Sequence, residues 1–275
     1  MFKLLVPLAA LALTACNSQL SADLTVSGTT GLDHAKFRIK SVQLQKSGGG
    51  TETVDSKAGK KDLLDYSDGS VLKLFSDKKI SAAHYTGIAL VLEDSDSSVT
   101  PTDGDDVPVS SSTTTAFIPI DFTLKNKDQE TVHVNLDLRF SLSDQGTTFD
   151  FASAGFATRH GRSQVTGSID KSLLQNDGCR VDGKPTGASV YVFDENATPD
   201  DFHSGMSDTD RPIASAAVTG SDDDGYAFQF AALPHGDDRF ALTCDADDPQ
   251  QDEDITFLAT QKASINASLE IVNLD

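Results

Sequence analysis

The chain has 275 residues, with 42 acidic against 22 basic, a formal net charge of −20 at neutral pH, no tryptophan and three cysteines. Such a charge repels nucleic acid and anionic lipid headgroups, which excludes nucleic-acid binding as a function. Acid enters almost wholly as aspartate, with only six glutamates; the short aspartate carboxylate bonds nearby backbone amides and suits turns and strand ends.

The opening residues MFKLLVPLAALALTACN place Lys3 before ten apolar residues, 4–13, with the small Thr14 and Ala15 ahead of Cys16. That is the order of a secretory signal peptide. Ten residues, Pro7 among them, are too few to span a ~30 Å hydrocarbon layer. Leu13-Thr14-Ala15-Cys16 resembles a bacterial lipobox, whose cysteine is lipidated and becomes the new N-terminus. The resemblance implies removal of residues 1–15 and a lipid on Cys16. With Asn17 rather than Asp following, it also implies export to the outer membrane, facing the periplasm or the cell surface. One acyl chain binds a membrane only marginally while two or more hold stably, so the rest of the chain need not touch lipid. The plain alternative is an ordinary cleavage site beside a chance cysteine. Residues 16–23 then read as the lipidated cysteine and a polar tether of at most ~25 Å.

The roughly 260 residues beyond the signal suit two domains. Strand patterns dominate. Ala35, Phe37 and Ile39 alternate, then Val42 and Leu44 follow in the opposite phase, so a bulge or a crossing between sheets is expected near Lys40 and Ser41. Residues 61–66 and 71–75 could form short turns of helix. Residues 85–93 read as a buried strand with Ile88, Leu90 and Leu92 on one face. Residues 94–115, rich in Ser, Thr and Asp with Pro101 and Pro108, read as a disordered loop. Val132, Val134, Leu136, Leu138, Phe140 and Leu142 give six alternating apolar positions, the clearest strand in the chain.

The pattern changes near 159–163, which places a boundary between a first domain, 24–162, and a second, 163–275. In the second, strands are expected at 188–193, 214–219, 226–230, 240–243 and 264–272. Short strands with turn signals between them indicate a β-sandwich. Fold class is therefore all-β, two β-sandwiches in tandem after a lipoprotein signal peptide. Once Cys16 is lipidated, Cys179 and Cys244 remain as an even pair in an oxidising compartment, which favours a disulfide over two separate thiols.

Leu24-Thr25-Val26-Ser27, residues 37–44, Asp62-Leu63-Leu64-Asp65 and residues 79–92 together resemble a bacterial lipoprotein family, the domain of unknown function 4382, over roughly 21–162. The family's small-Gly pair ahead of its tyrosine is replaced here by Ala83-His84. The resemblance implies a lipid-anchored β-sandwich and no known activity. AAVTGSDDDGYAFQFAALPHGDDRFAL, residues 216–242, resembles a carboxypeptidase-regulatory, transthyretin-like sandwich. Asp224-Gly225 makes its turn, Tyr226, Phe228 and Phe230 alternate along a strand, and 233–236 reverse the chain. Asp237-Asp238-Arg239 lengthen the next loop relative to that family. The likeness implies a non-catalytic companion module.

Chemistry is sparse. The six histidines fall in no HxH, HxxE or HExxH spacing, the cysteines offer no zinc cluster, and a GxSxG elbow is absent. Acidic clusters at Asp94, Asp96, Asp103, Asp105 and Asp106, at Asp222-Asp223-Asp224, and across 245–254 read first as solvated turns. Weak Ca2+ sites are the one cofactor they allow, because the EF-hand pattern is not met. Without tryptophan to stack sugars, glycan binding ranks low. The sequence therefore reads as a non-enzymatic envelope lipoprotein, a binding or structural module for an unknown envelope protein or extracellular ligand. The alternatives are a calcium- or glycan-binding surface adhesin module and, more distantly, a hydrolase assembled from Asp and His on loops.

Overall fold

The computed structural model describes residues 18–275 apart from 103, 112–114, 176–178, 204–205, 208, 246, 248, 253 and 267–268, and only the backbone at 269–270. The fold is β throughout, and the one α-helix among the described residues is the four-residue Leu138–Ser141. No helix among them is long and apolar enough to cross a membrane.

In the first lobe, Ser18–Ser27 points Leu20, Ala22, Leu24 and Val26 inward. It lies between Gln129–Asp137, parallel to it, and Leu72–Ile80, antiparallel; Gly155–Thr158 completes this four-stranded sheet. The expected tether over 16–23 is thus corrected, because Ser18 already belongs to a strand. Ser21 and Asp23, which made the segment look like a linker, are the outward face of a period-two alternation. The helical reading of 71–75 is corrected for the same reason, since Leu72 and Leu74 are successive inward positions of Leu72–Ile80. Residues 61–66 do yield a short 3-10 turn, Leu63–Tyr66, whose cap is Asp62 accepting from Leu64 N.

A nine-stranded sheet packs against the first. Its organising strand, Leu32–Lys46, pairs through its first half with Ser98–Pro101 and Lys60–Asp62, and through its second half with Ala83–Leu92 and Thr51–Asp55. The register slips between Ile39 and Ser41, where the apolar phase changes in the sequence. The disordered loop expected over 94–115 is corrected: a 3-10 turn at Asp94–Asp96 leads into Ser98–Pro101 and Val107–Ser111, which pair with each other. Val99 and Val109 are fully buried. One inward valine per short strand suffices when neighbouring strands supply the rest of the core, and the polar composition describes only the outer face. The six-position strand is also corrected. Gln129–Asp137 stops where the Asp137 carboxylate accepts from Phe140 N at 3.3 Å, capping the helical turn before the strand Leu142–Asp144.

In the second lobe, Arg162–Ile169 lies between antiparallel Gly225–Pro234 and parallel Leu269–Leu274, with Thr219–Ser221 at one edge. The facing sheet runs Ala214–Ala217, Ser189–Asp194, Gly236–Thr243, Phe257–Ile265. Val165, Val190, Val192, Phe228, Phe230, Phe240 and Leu242 fill the space between. Gly225 holds φ 83, the left-handed value its turn requires. The single strand expected over 264–272 is two strands in different sheets. Ile265 and Val272 both point inward although they differ in parity, the phase flip of a crossing chain. Cys179 and Cys244 form a disulfide across 65 positions.

One buried carboxylate in this lobe is left short of donors among the described residues. Asp238, 5 % exposed, stands opposite Asp194 on the neighbouring strand, and its Oδ2 receives no hydrogen bond among the described residues. Burial, then the charges of Asp194 and Asp237, push its carboxyl up to about 7.

Candidate functional site: the cleft between the lobes

The alternation that turns Leu24, Val26, Val134 and Leu136 into the first core turns their neighbours outward. Because the two strands run parallel and in register, Asp23 faces His133, Thr25 faces Asn135 and Ser27 faces Asp137. His133 Nδ1 lies 2.6 Å from Asp23 Oδ1, Asn135 donates to Thr25 Oγ1 at 3.2 Å, and Ser27 donates to Asn135 Oδ1 at 2.7 Å. The second lobe covers this polar ladder. Asp137 is wholly buried and accepts from Ser27 Oγ, from Ser215 Oγ at 2.9 and 3.0 Å, and from Ser215 N. Gly28 N donates to Ser215 O at 3.0 Å beside it. Burial pushes the Asp137 carboxyl up to about 6, and the donors from Ser215, Ser27 and Phe140 limit the rise.

Two residues further on, Arg139 spreads its guanidinium over the second lobe. Nε donates to Tyr191 OH at 2.6 Å, one terminal nitrogen to Ser189 Oγ at 3.1 Å and the other to Asp245 O at 2.7 Å. Tyr191, fully buried, donates in turn to Asp247 Oδ2 at 2.6 Å, and burial pushes its phenol well above the usual value. Phe140 sits edge-on to Tyr191 at 5.1 Å and stacks on Phe202 at 4.8 Å. Phe156 of the first lobe belongs to the second lobe's core. The junction is thus polar at its centre and aromatic at its flank, with Asp137, Arg139 and the Tyr191 hydroxyl all hydrogen-bonded.

Beside this junction opens a cleft of about 630 Å³. Phe140, Ser141, Ala152 and Ser153 form one wall; Phe202, His203, Met206, Arg211, Pro249 and Gln250 form the other. Arg211 lies over the Phe202 ring at 5.7 Å. An aromatic floor with a guanidinium and an imidazole on one side suits recognition of a partly polar ligand. Three serines line the cleft: Ser141 Oγ donates to Ala154 O, Ser153 Oγ accepts from Leu90 N at 2.9 Å, and Ser143 Oγ accepts from Gln145 Nε2 at 3.0 Å. Among the described residues, neither Ser141 nor Ser153 is hydrogen-bonded to a base that would activate it as a nucleophile.

The residues singled out from sequence lie elsewhere. Cys16 and Asp103 are outside the described residues. Asp94 accepts from Ser111 N and Oγ, Asp96 pairs with Arg38 and Lys60, and Asp106 accepts from Thr100 Oγ1. Asp105 and Asp223 are exposed, and Asp224 accepts from Ser221 Oγ. Asp222 takes Arg180, Lys171 and the Tyr226 hydroxyl, which hold its carboxyl low. Three of the histidines pair with carboxylates, His34 with Asp62, His84 with Asp121 and His133 with Asp23. The junction residues Asp137, Arg139, Tyr191 and Asp247 went unread. The available signal was a polar set, His133, Asn135, Asp137, at every second position of an otherwise apolar strand.

No curated protein matches the chain. Among solved structures it is similar to the Bacillus anthracis TIE protein, at 10% identity over 94% of this chain and 33% of that one, TM-score 0.21. It is similar also to a leucine-rich repeat protein from Bacteroides thetaiotaomicron, at 12% identity over 94% of this chain and 25% of that one, TM-score 0.21. A third likeness is to a candidate adhesin from Bacteroides ovatus, at 10% identity over 93% and 92% of the two chains, TM-score 0.22. The chain spans about a third of the first structure and a quarter of the second. None of these likenesses is close enough to carry function. The family match is local and covers most of the first lobe: residues 17–149 carry a domain of unknown function, DUF4382.

Proposed function

We propose that this protein is a non-catalytic binding module of the bacterial envelope, held to the outer membrane by a lipid on Cys16, with the interlobe cleft as its recognition surface. The observation that carries the reading is the junction. Asp137, Arg139 and the Phe140 cluster tie the lobes together immediately behind the cleft, so that both walls stand in a fixed relation before any ligand arrives. The lipobox-like Leu13-Thr14-Ala15-Cys16 supports the anchor. With the first strand beginning at Ser18, a lipid on Cys16 would hold the first lobe against the membrane. The strand, turn and strand of 216–242 support reading the second lobe as a carboxypeptidase-regulatory-like module, and the backbone-engaged Ser141 and Ser153 support binding over hydrolysis.

Two experiments test the proposal. Cys16→Ala is expected to move the protein from the membrane fraction to the soluble one; retention in the membrane would overturn the anchor. A photo-cross-linking amino acid at Met206, on the cleft wall, is expected to capture a discrete species in cells that the same probe at the exposed Ile271 does not. Equal capture at both positions would overturn the cleft as the recognition surface.

A further inference from the structure

Asp201 and His203 lie on the segment after Ser189–Asp194, and Asp252 on the segment after Gly236–Thr243. The three are brought together from two loops, and one ligand atom from each lies within 4.8 Å of the others. Oxygen and nitrogen ligands around one zinc ion stand ~3.4 Å apart, so small side-chain rotations would close the set. This group differs from the solvated aspartates elsewhere on the molecule. It contains an imidazole, and Asp201 is wholly buried.

A second observation points the same way. The carboxylate of Asp247 is anchored among these groups, its Oδ2 accepting from the amide of Phe202, between Asp201 and His203, at 3.2 Å and from Tyr191 OH at 2.6 Å. Its Oδ1 is sealed from solvent and receives no hydrogen bond among the described residues. Two carboxylates beside an imidazole are the surroundings that a dication stabilises.

We propose that Asp201, His203 and Asp252 bind one first-row transition-metal dication, with Asp247 holding the Asp201–His203 segment through the Phe202 amide. The imidazole favours Zn2+ or a similar ion over Ca2+, which takes oxygen ligands. Bound there, the ion would join the two loops that make one wall of the cleft, since His203 and Gln250 both line it. The site shares His203 with the cleft wall, and zinc binding can be read whether or not the cleft is the recognition surface.

The test is calorimetric titration of the metal-stripped full chain with zinc chloride near neutral pH, with thermal unfolding alongside. One Zn2+ per chain is expected, with a rise in Tm on binding. His203→Ala and Asp252→Asn should each weaken binding about tenfold or more and abolish the Tm rise. His84→Ala, which removes an imidazole paired with Asp121 elsewhere, should leave both unchanged. Asp252 is exposed, so its variant tests the site without disturbing the core. Absence of stoichiometric binding would overturn the proposal. So would affinity unchanged in both His203→Ala and Asp252→Asn, or Ca2+ binding as tightly as Zn2+ with His203→Ala indifferent.

Discussion

Replacing Asp238 by Asn isolates the cost of a single buried carboxylate. Asp238 is 5 % exposed, faces Asp194 across the strand pair, and has an oxygen that receives no hydrogen bond among the described residues. Its carboxyl is pushed from 3.8 to about 7. A carboxyl raised in the folded state takes up a proton on folding. Its cost is therefore nearly absent at pH 4, grows as pH rises and is complete once pH passes the folded value near 7. Three pKa units set a ceiling of about 4 kcal/mol, of which about 3 kcal/mol falls between pH 4.5 and 8. The amide of Asp238→Asn keeps the volume and cannot ionise, and its own burial costs the same at every pH. Urea unfolding of both proteins at the two pH values gives the relevant quantity, the change in their stability difference. The variant should gain about 3 kcal/mol on the wild type on going from pH 4.5 to 8. A difference that stays constant between the two pH values would mean that Asp238 is not a strained buried carboxylate.

Further outcomes follow from the same groups. Asp137→Ala removes the acceptor of Ser215 N and Oγ and the cap of Leu138–Ser141, and should cost about 3–5 kcal/mol in urea unfolding at pH 7. Asp137 and Asp238 are both raised, so the wild-type urea midpoint should be higher at pH 5 than at pH 8. Gly28 holds φ +64, and a Cβ there would stand 2.0 Å from Asp137 Oδ1; Gly28→Ala should cost about 2 kcal/mol or more and lower Tm accordingly. Replacing Cys179 and Cys244 together by serine opens a loop of 65 positions and should cost on the order of 4 kcal/mol, read from the denaturant midpoint.

The fold was legible where one face of a strand is apolar and the other wet. Ala35, Phe37 and Ile39 giving way to Val42 and Leu44 marked the slip in Leu32–Lys46, and Ile88, Leu90 and Leu92 marked the inward face of Ala83–Leu92. Reading by composition failed at 18–23 and 94–115. In both, outward polar residues outnumber the inward apolar ones, and burial is completed by strands far away in sequence. Periodicity also failed at Asp137, where apolar alternation runs on through Leu138 and Phe140 although a capped helical turn has replaced the strand. The site was hidden for a related reason. Asn135 and Asp137 occupy positions that a two-layer sandwich leaves wet, and only the second lobe, through Ser215, makes them interior. Asp201, His203 and Asp252 share no spacing motif because two loops bring them together.

The buried junction at Asp137 and Arg139 is expected to make the two lobes one body and so to fix the cleft. Differential scanning calorimetry of the intact chain reads whether the lobes unfold together. A single transition, with calorimetric and van't Hoff enthalpies equal, is expected for the wild type, splitting into two in Asp137→Ala. Two separate transitions in the wild type, unmoved by Asp137→Ala, would contradict it.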